Sequence, residues 1–220
     1  MKFKPIKFTQ LLSGTVLILT SFFFAQNASA LVISAEAFGS TSPTTISGAS
    51  VGQSTTNGDF TITRTGANTT LGNGVDEATT WSFDYGMVAL SGPLSSAILT
   101  MSLTPTSSLF VTDSFRIEGL TGISTAVFLG LSLGSLQTVS IDLLDFYTSA
   151  DIISEFYASP VDQIRMYYQD DAVISYARLD LTTAAAPEPL TATLLIAGLI
   201  ALFCVNKKRA TSVNPPETAA

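Results

Sequence analysis

Short runs of Val, Ile, Thr, Phe and Tyr, separated by clusters of Gly, Ser, Asn and Pro, fill the chain between Leu31 and Thr183. Apolar and polar positions alternate within several runs, as in strands that bury one face. The predicted strands are Phe60 to Arg64, Trp81 to Tyr85, Ile98 to Leu103, Leu109 to Ile117, Val139 to Leu143 and Ala172 to Leu181. Many short strands with regular turn signals predict an all-β fold, an antiparallel β-sandwich or jelly-roll-like single domain.

The alternation also assigns faces to the side chains. Trp81, Phe83 and Tyr85 share one face of their strand, which predicts a place in the core, although exposed rings would suit stacking on sugars. In the last strand, strict alternation predicts two opposite faces, and Ile174 and Tyr176 share one of them. The other face carries Val173, Ser175, Ala177, Leu179 and Leu181.

One segment has a helical pattern. Thr148 to Asp151 resembles a capping box, apolar residues follow it, and Pro160 ends the pattern. The sequence therefore predicts one short helix whose Ile152, Ile153 and Phe156 pack on a sheet.

The first thirty residues have the order of a secretory signal peptide. Lys2, Lys4 and Lys7 precede an apolar run from Leu11 to Ala25, which predicts a signal helix. The segment Ala28-Ser29-Ala30 then fits a small-x-small cleavage site. Residues 1–30 are therefore expected to be removed before Leu31; an uncleaved anchor is the alternative.

The C-terminal part has three successive features. Pro187-Glu188-Pro189 precedes an apolar run from Leu190 to Val205, and the basic cluster Lys207-Lys208-Arg209 follows. A helix over the apolar run would extend roughly 24 Å, which predicts a short transmembrane helix. Since basic clusters remain cytoplasmic, the domain at 31–183 is expected outside the membrane, in agreement with the signal peptide.

Taken together, these three features resemble the PEP-CTERM sorting tail of cyanobacteria and other Gram-negative bacteria. The resemblance covers about residues 186–209, within a sorting and anchor segment at 184–209, and a short polar tail follows at 210–220. It implies processing by an exosortase, a transient membrane anchor and a final place at the cell surface or in the extracellular matrix. It also implies an association with exopolysaccharide and biofilm.

Charge and composition exclude several classes of function. The segment 31–183 has four arginines and fifteen carboxylates, a net charge of −11, which argues against a nucleic-acid partner. The chain contains no histidine, so Ser-His-Asp and Cys-His catalysis are excluded. Its one cysteine, Cys204, lies in the C-terminal apolar run, so the domain has no disulfide.

Acidic residues offer the main candidate chemistry. Asp170 and Asp171 are expected at a hairpin tip, with Asp142, Asp145 and Asp162 nearby in sequence. Carboxylates at loop tips can bind Ca²⁺, so calcium is the one cofactor considered; a turn that uses Asp for its own backbone hydrogen bonds is the alternative. A pair of carboxylates could also serve a glycoside hydrolase, but no motif surrounds such a pair.

Tyrosines provide the candidate ligand platform. Tyr167 and Tyr168 precede the acidic pair, and together with Tyr147 and Tyr157 they could form a half-exposed surface for sugars. We therefore expect a non-catalytic surface or matrix protein that associates with extracellular polysaccharide. A secreted carboxylate-dependent glycoside hydrolase and a self-associating structural coat protein are the alternatives.

Overall fold

The computed structural model describes residues 29–106, 114–124, 128, 130–169, 171–185 and 198–199. Residues Ala30–Ala184 form one compact unit. Several residues of the predicted signal peptide and sorting tail lie outside the described residues: Ala28, Pro187, Glu188, Pro189, Lys207, Lys208 and Arg209. Within the described residues, no helix has both the length and the apolar character needed to cross a membrane.

The described part of the compact unit contains twelve strands and one α-helix. The strands are β1 (Val32–Phe38), β2 (Ile46–Ser47), β3 (Ser54–Asn57), β4 (Phe60–Arg64), β5 (Thr70–Leu71), β6 (Glu77–Asp84), β7 (Leu94–Pro105), β8 (Ser114–Ile117), β9 (Ile123–Ser124), β10 (Gln137–Asp142), β11 (Gln163–Gln169) and β12 (Ala172–Thr183). The helix α1 spans Ser149–Ala158, and a 3₁₀ turn at Leu143–Asp145 precedes it.

The strands form three antiparallel sheets. One has four strands in the order β1-β12-β7-β10, and one has six in the order β3-β4-β6-β11-β8-β9. A small third sheet pairs β2 with β5. The predicted all-β, antiparallel class with one short helix is therefore confirmed for the described residues.

The two large sheets share one hydrophobic cluster. Strand β7 of the four-stranded sheet contributes Leu99 and Met101, and β6 of the six-stranded sheet contributes Trp81 and Phe83. Tyr85, which is also buried, donates a hydrogen bond of 3.0 Å from its hydroxyl to the Leu179 carbonyl of the other sheet. The prediction that the aromatic stripe belongs to the core is thus confirmed.

Helix α1 begins and ends where its sequence predicts. Thr148 is the N-cap, and it forms a reciprocal capping box with Asp151. The hydrogen bonds from the Thr148 side chain and backbone lower the pKa of Asp151. Ile152 and Phe156 are fully buried, and Ile153 packs partly buried against the same cluster.

Strand β12 departs from the strict alternation expected of it. Its register against β7 shifts between Ile174 and Tyr176, the mark of a β-bulge. Ile174 and Ser175 are consequently both buried, whereas Tyr176 is partly exposed. The predicted grouping of Ile174 with Tyr176 is therefore wrong, because an extra residue in the strand reverses the alternation on one side of the bulge.

The two ends of the unit meet at one sheet edge. The Leu31 amide donates to Thr183 Oγ1 at 3.0 Å, and the Thr183 amide donates to the Leu31 carbonyl at 2.9 Å. The residue expected to follow signal cleavage therefore adjoins the last residue of β12.

Candidate functional site

The acidic tip between β11 and β12 has a structural role where it is described. Asp171 accepts a hydrogen bond from the Asp76 amide at 3.4 Å, and its own carbonyl accepts one from the Thr106 amide at 2.9 Å. Asp170 lies outside the described residues. No group of three or more metal-ligating side chains occurs in the part of the chain that the structure describes. Calcium binding at the tip remains a prediction.

Tyr167 and Tyr168 lie on opposite faces of β11. Tyr168 is fully buried in the shared cluster, so its prediction as part of an exposed platform is wrong. Successive residues of a strand face opposite ways, and two adjacent tyrosines cannot both lie on the outer face. Tyr167 is partly exposed, and the Arg116 guanidinium lies 3.9 Å from the centre of its ring. A cation therefore already occupies one face of the Tyr167 ring.

The other two candidate tyrosines are tied to backbone groups. The hydroxyl of Tyr147, which is 9% exposed, donates to the Thr121 carbonyl at 2.8 Å. The hydroxyl of Tyr157 accepts from the Leu90 amide at 2.8 Å and donates to the Leu90 carbonyl at 3.3 Å. Tyr157 is 47% exposed, but it lies on α1 and not on a strand of either large sheet.

The outer face of the four-stranded sheet carries two aromatic rings that the sequence did not single out. Phe38 of β1 and Tyr176 of β12 are directly paired, with ring centres 5.5 Å apart and planes at 53°. Phe38 is 54% exposed, an unusual position for a ring of its size. We call these two residues the aromatic platform.

Charged side chains support the platform along the same face. The Tyr176 hydroxyl donates to Glu36 Oε1 at 2.8 Å, and Arg178 lies 3.6 Å from the same oxygen. Arg178 Nε also donates to both carboxylate oxygens of Asp180, at 2.8 and 2.9 Å. Partial burial and the hydrogen bond to Glu36 raise the pKa of Tyr176.

Paired hydroxyls continue this face across the sheet. Ser102 of β7 and Thr138 of β10 have side-chain oxygens 2.9 Å apart, and those of Thr100 and Ser140 are 2.8 Å apart. Each hydroxyl has one donor and two acceptor positions, so one mutual hydrogen bond leaves capacity in both members of a pair.

Contacts with the β3–β4 hairpin fix the backbone of Phe38. The Phe38 amide donates to Asp59 Oδ2 at 2.8 Å, and the Phe38 carbonyl accepts from the Asp59 amide at 2.8 Å. Gly58 has a φ of +63°, and a Cβ there would approach the Phe38 carbonyl oxygen to 2.1 Å. The turn predicted at Asn57-Gly58 thus needs glycine both for its conformation and for this close approach.

A polar groove of about 640 Å³ lies between edge strand β1 and the six-stranded sheet. Its lining includes the hydroxyl residues Thr61, Thr80 and Ser82 and the charged residues Glu36, Asp59, Asp84, Glu118 and Arg165. Arg165 and Glu118 lie 3.8 Å apart with side chains more than 60% exposed, so their pairing adds little stability. The excess of carboxylates makes this groove unfavourable for anions.

Two carboxylates line a smaller cleft beside α1. Glu118 and Glu155 border a space of about 290 Å³ together with Arg165. Gly119, with a φ of +94°, lets the Glu155 carboxylate approach closely, since a Cβ there would lie 2.9 Å from Glu155 Oε1. A pair of carboxylates in one cleft is the minimum that a glycoside hydrolase needs.

Two buried charges organise the loop between β4 and β6. Glu77 is 2% exposed and accepts backbone hydrogen bonds from all three residues of 72–74. Arg64, its partner in the pairing of β4 with β6, donates to the carbonyls of Ala49 at 2.5 Å and Ala67 at 3.1 Å. Both side chains are buried, so they stabilise the loop and are not accessible to a ligand.

No known protein-family profile matches this chain, and no curated protein is significantly similar to it in sequence.

Proposed function

We propose that the chain is an exported, non-catalytic module that binds extracellular polysaccharide through the outer face of the four-stranded sheet. The observation that carries this proposal is the aromatic platform, in which Phe38 and Tyr176 stand together on an open sheet face. In this proposal the two large sheets and their common core form a jelly-roll-like β-sandwich.

The platform has the chemistry that a sugar requires. A pyranose has apolar C–H faces, which pack on aromatic rings, and hydroxyls at its rim, which need donors and acceptors. Here the rings of Phe38 and Tyr176 adjoin the carboxylate of Glu36, the guanidinium of Arg178 and the hydroxyl of Ser102. The face therefore offers an apolar contact with polar groups beside it.

Charge favours a neutral polysaccharide. The net charge of −11 over 31–183 repels polyanions at a distance. On the face itself, Arg178 lies between Glu36 and Asp180, so its positive charge is fully compensated and it offers no free cation to a polyanion. A hydroxyl-rich, uncharged chain meets no repulsion at this surface.

The terminal segments supply the location in this proposal. The signal peptide at 1–30 and the PEP-CTERM-like tail around Pro187-Glu188-Pro189 imply export, exosortase processing and release to the cell surface or matrix. Since Leu31 adjoins Thr183, both segments would leave the domain at one point. Phe38 lies seven residues further along the chain than Leu31, roughly 23 Å at strand spacing, so the platform is separated from this end of the domain.

Binding by an exposed-ring variant tests the proposal. The full chain, purified in mild detergent, is passed through native gels that contain one of several neutral polysaccharides, with calcium or with chelator. We expect retardation in at least one gel and a loss of about tenfold in affinity for Phe38→Ala, the equivalent of about 1.4 kcal/mol. Phe146→Ala is the matched control, because that ring is 44% exposed but lies on the 3₁₀ turn side of the molecule.

The outcomes separate the three classes of function. Equal retardation of Phe38→Ala and the parent would contradict the platform as the binding surface. Shortening of the polysaccharide by the parent but not by Glu118→Gln or Glu155→Gln would establish the hydrolase, which the shared cleft of these carboxylates favours as the second candidate. Self-association without retardation in any gel would establish the coat protein.

A further inference from the structure

We infer that a neutral polysaccharide chain lies across the four strands, from the aromatic platform on β1 and β12 to the hydroxyl pair on β7 and β10. This inference rests on the proposed function and adds to it the direction and the length of the bound segment. It follows from the register of the sheet, which places four outward-facing side chains in one line. In strand order these residues are Phe38, Tyr176, Ser102 and Thr138.

The spacing of this line suits an extended sugar chain. Neighbouring strands lie about 4.8 Å apart, so the four side chains cover roughly 14 Å from first to last. The interval between strands is close to the length of one pyranose unit in an extended chain. Successive sugars would therefore meet successive strands, and the line holds about three or four of them.

The two halves of the line have complementary chemistry. Phe38 and Tyr176 offer ring surface, while Ser102 and Thr138 offer short hydroxyl side chains that leave room above the sheet. A sugar stacked on the rings would thus be followed by sugars that exchange hydrogen bonds with the hydroxyl pair. Thr100 and Ser140 form a parallel pair one pleat repeat away, roughly 6.7 Å along the strands, within reach of the same ligand.

The other direction, along β1 and β12, is obstructed. From the platform toward the start of β1, the outward side chains are engaged with one another: Glu36 with Tyr176 and Arg178, and Asp180 with Arg178 and Ser34. A polysaccharide bound along the strands would have to displace these contacts or lie further from the sheet. In the opposite direction along the strands, β1 ends at Phe38, so this strand offers no further contact.

Oligosaccharides of graded length test the direction. The full chain is titrated by calorimetry with cello-, laminari-, malto- and xylo-oligosaccharides, from disaccharide to hexasaccharide. For the series that binds, we expect affinity to rise up to the tri- or tetrasaccharide and then to level off. The double variant Ser102→Ala, Thr138→Ala is expected to lose roughly fivefold to tenfold with the tetrasaccharide and little with the disaccharide.

Ser34→Ala provides the matched control, since it removes an exposed hydroxyl from the same face in the obstructed direction. We expect it to bind like the parent, and unchanged thermal unfolding would show that both variants fold. A loss for Ser34→Ala with full binding by the double variant would overturn the inferred direction while the proposed function stands. Failure of the parent to bind any series would overturn both.

Discussion

At the scale of single residues, Glu77 shows how a buried charge can serve structure. Its carboxylate accepts hydrogen bonds from the amides of residues 72–74, which orders a loop rich in glycine. An amide in its place would retain one acceptor oxygen and turn an NH₂ group toward backbone donors. Glu77 thus has a structural role, although an isolated carboxylate on a sheet could be taken for a catalytic or ligand-binding residue.

We therefore predict that Glu77→Gln lowers the free energy of unfolding by about 1–3 kcal/mol, because buried amides lose their acceptor. Denaturation with urea measures this change. Glu118→Gln is the control, since it breaks only the exposed pair with Arg165 and should cost less than about 1 kcal/mol. Equal stability of Glu77→Gln and the parent would contradict the role given to the carboxylate.

The same residue predicts a pH dependence. Burial raises the pKa of Glu77 above its ordinary value of 4.5, although the three amide hydrogen bonds partly offset the shift. Between 4.5 and the raised value, the folded state retains a proton that the unfolded state has released. The parent should therefore lose stability relative to Glu77→Gln as the pH rises through this window. Parallel curves of unfolding free energy against pH for both proteins would refute this.

The tyrosines show what sequence can and cannot predict for single side chains. The sequence patterns predict no strand over Gln163–Gln169, so they do not place Tyr167 and Tyr168 on opposite faces. Phe38 and Tyr176 are 138 positions apart, and only the pairing of β1 with β12 brings them together. Their exposure had no local signal, since an isolated ring in a strand normally indicates core.

At the scale of elements, local chemistry was enough for the helix. The capping box, the apolar spacing and Pro160 are all within one short stretch, so α1 could be predicted with its cap and its buried face. Strand β12 could not be predicted in the same detail. Its bulge near Ser175 arises from pairing with β7, which is distant in sequence. The sequence of β12 itself contains no signal that predicts this bulge.

For the helix we predict that Thr148→Ala reduces the free energy of unfolding by about 1 kcal/mol, through loss of the N-cap hydrogen bond to Asp151. Ser154→Ala, at an exposed position in the middle of α1, is the control and should change stability by no more than about 0.5 kcal/mol. Urea denaturation compares the two variants. A larger effect at Ser154 than at Thr148 would contradict the capping account.

At the scale of the whole molecule, the pattern of strands and turns predicted the fold class, while the ligand surface needed the three-dimensional arrangement. Alternating apolar and polar residues and the turn residues between them predict an antiparallel all-β unit, because each of these signals lies within a short segment of the sequence. The platform depends on the order of strands in the four-stranded sheet, which places β1 next to β12 and β12 next to β7. The signal peptide and the sorting tail remain predictions, as does their processing.

The overall charge leads to a prediction about the class of polysaccharide. We expect neutral chains to bind with an affinity that changes less than about twofold between low and physiological salt, because no net ionic contact is formed. Acidic polysaccharides should not bind at low salt, where repulsion by the −11 domain is strongest. Affinity gels at several salt concentrations measure both. Tight binding of a polyanion at low salt would contradict this account.

If the outer face of the four-stranded sheet binds neutral polysaccharide, as we propose, NMR mapping of the contact will locate the ligand on that face. Isotope-labelled full chain in detergent micelles is titrated with the neutral oligosaccharide that binds best. We predict that the perturbed signals belong to Phe38, Tyr176, Ser102 and Thr138 and their neighbours on this face. Perturbation centred instead on Tyr167 and the groove of the six-stranded sheet, or on the cleft of Glu118 and Glu155, would contradict the claim.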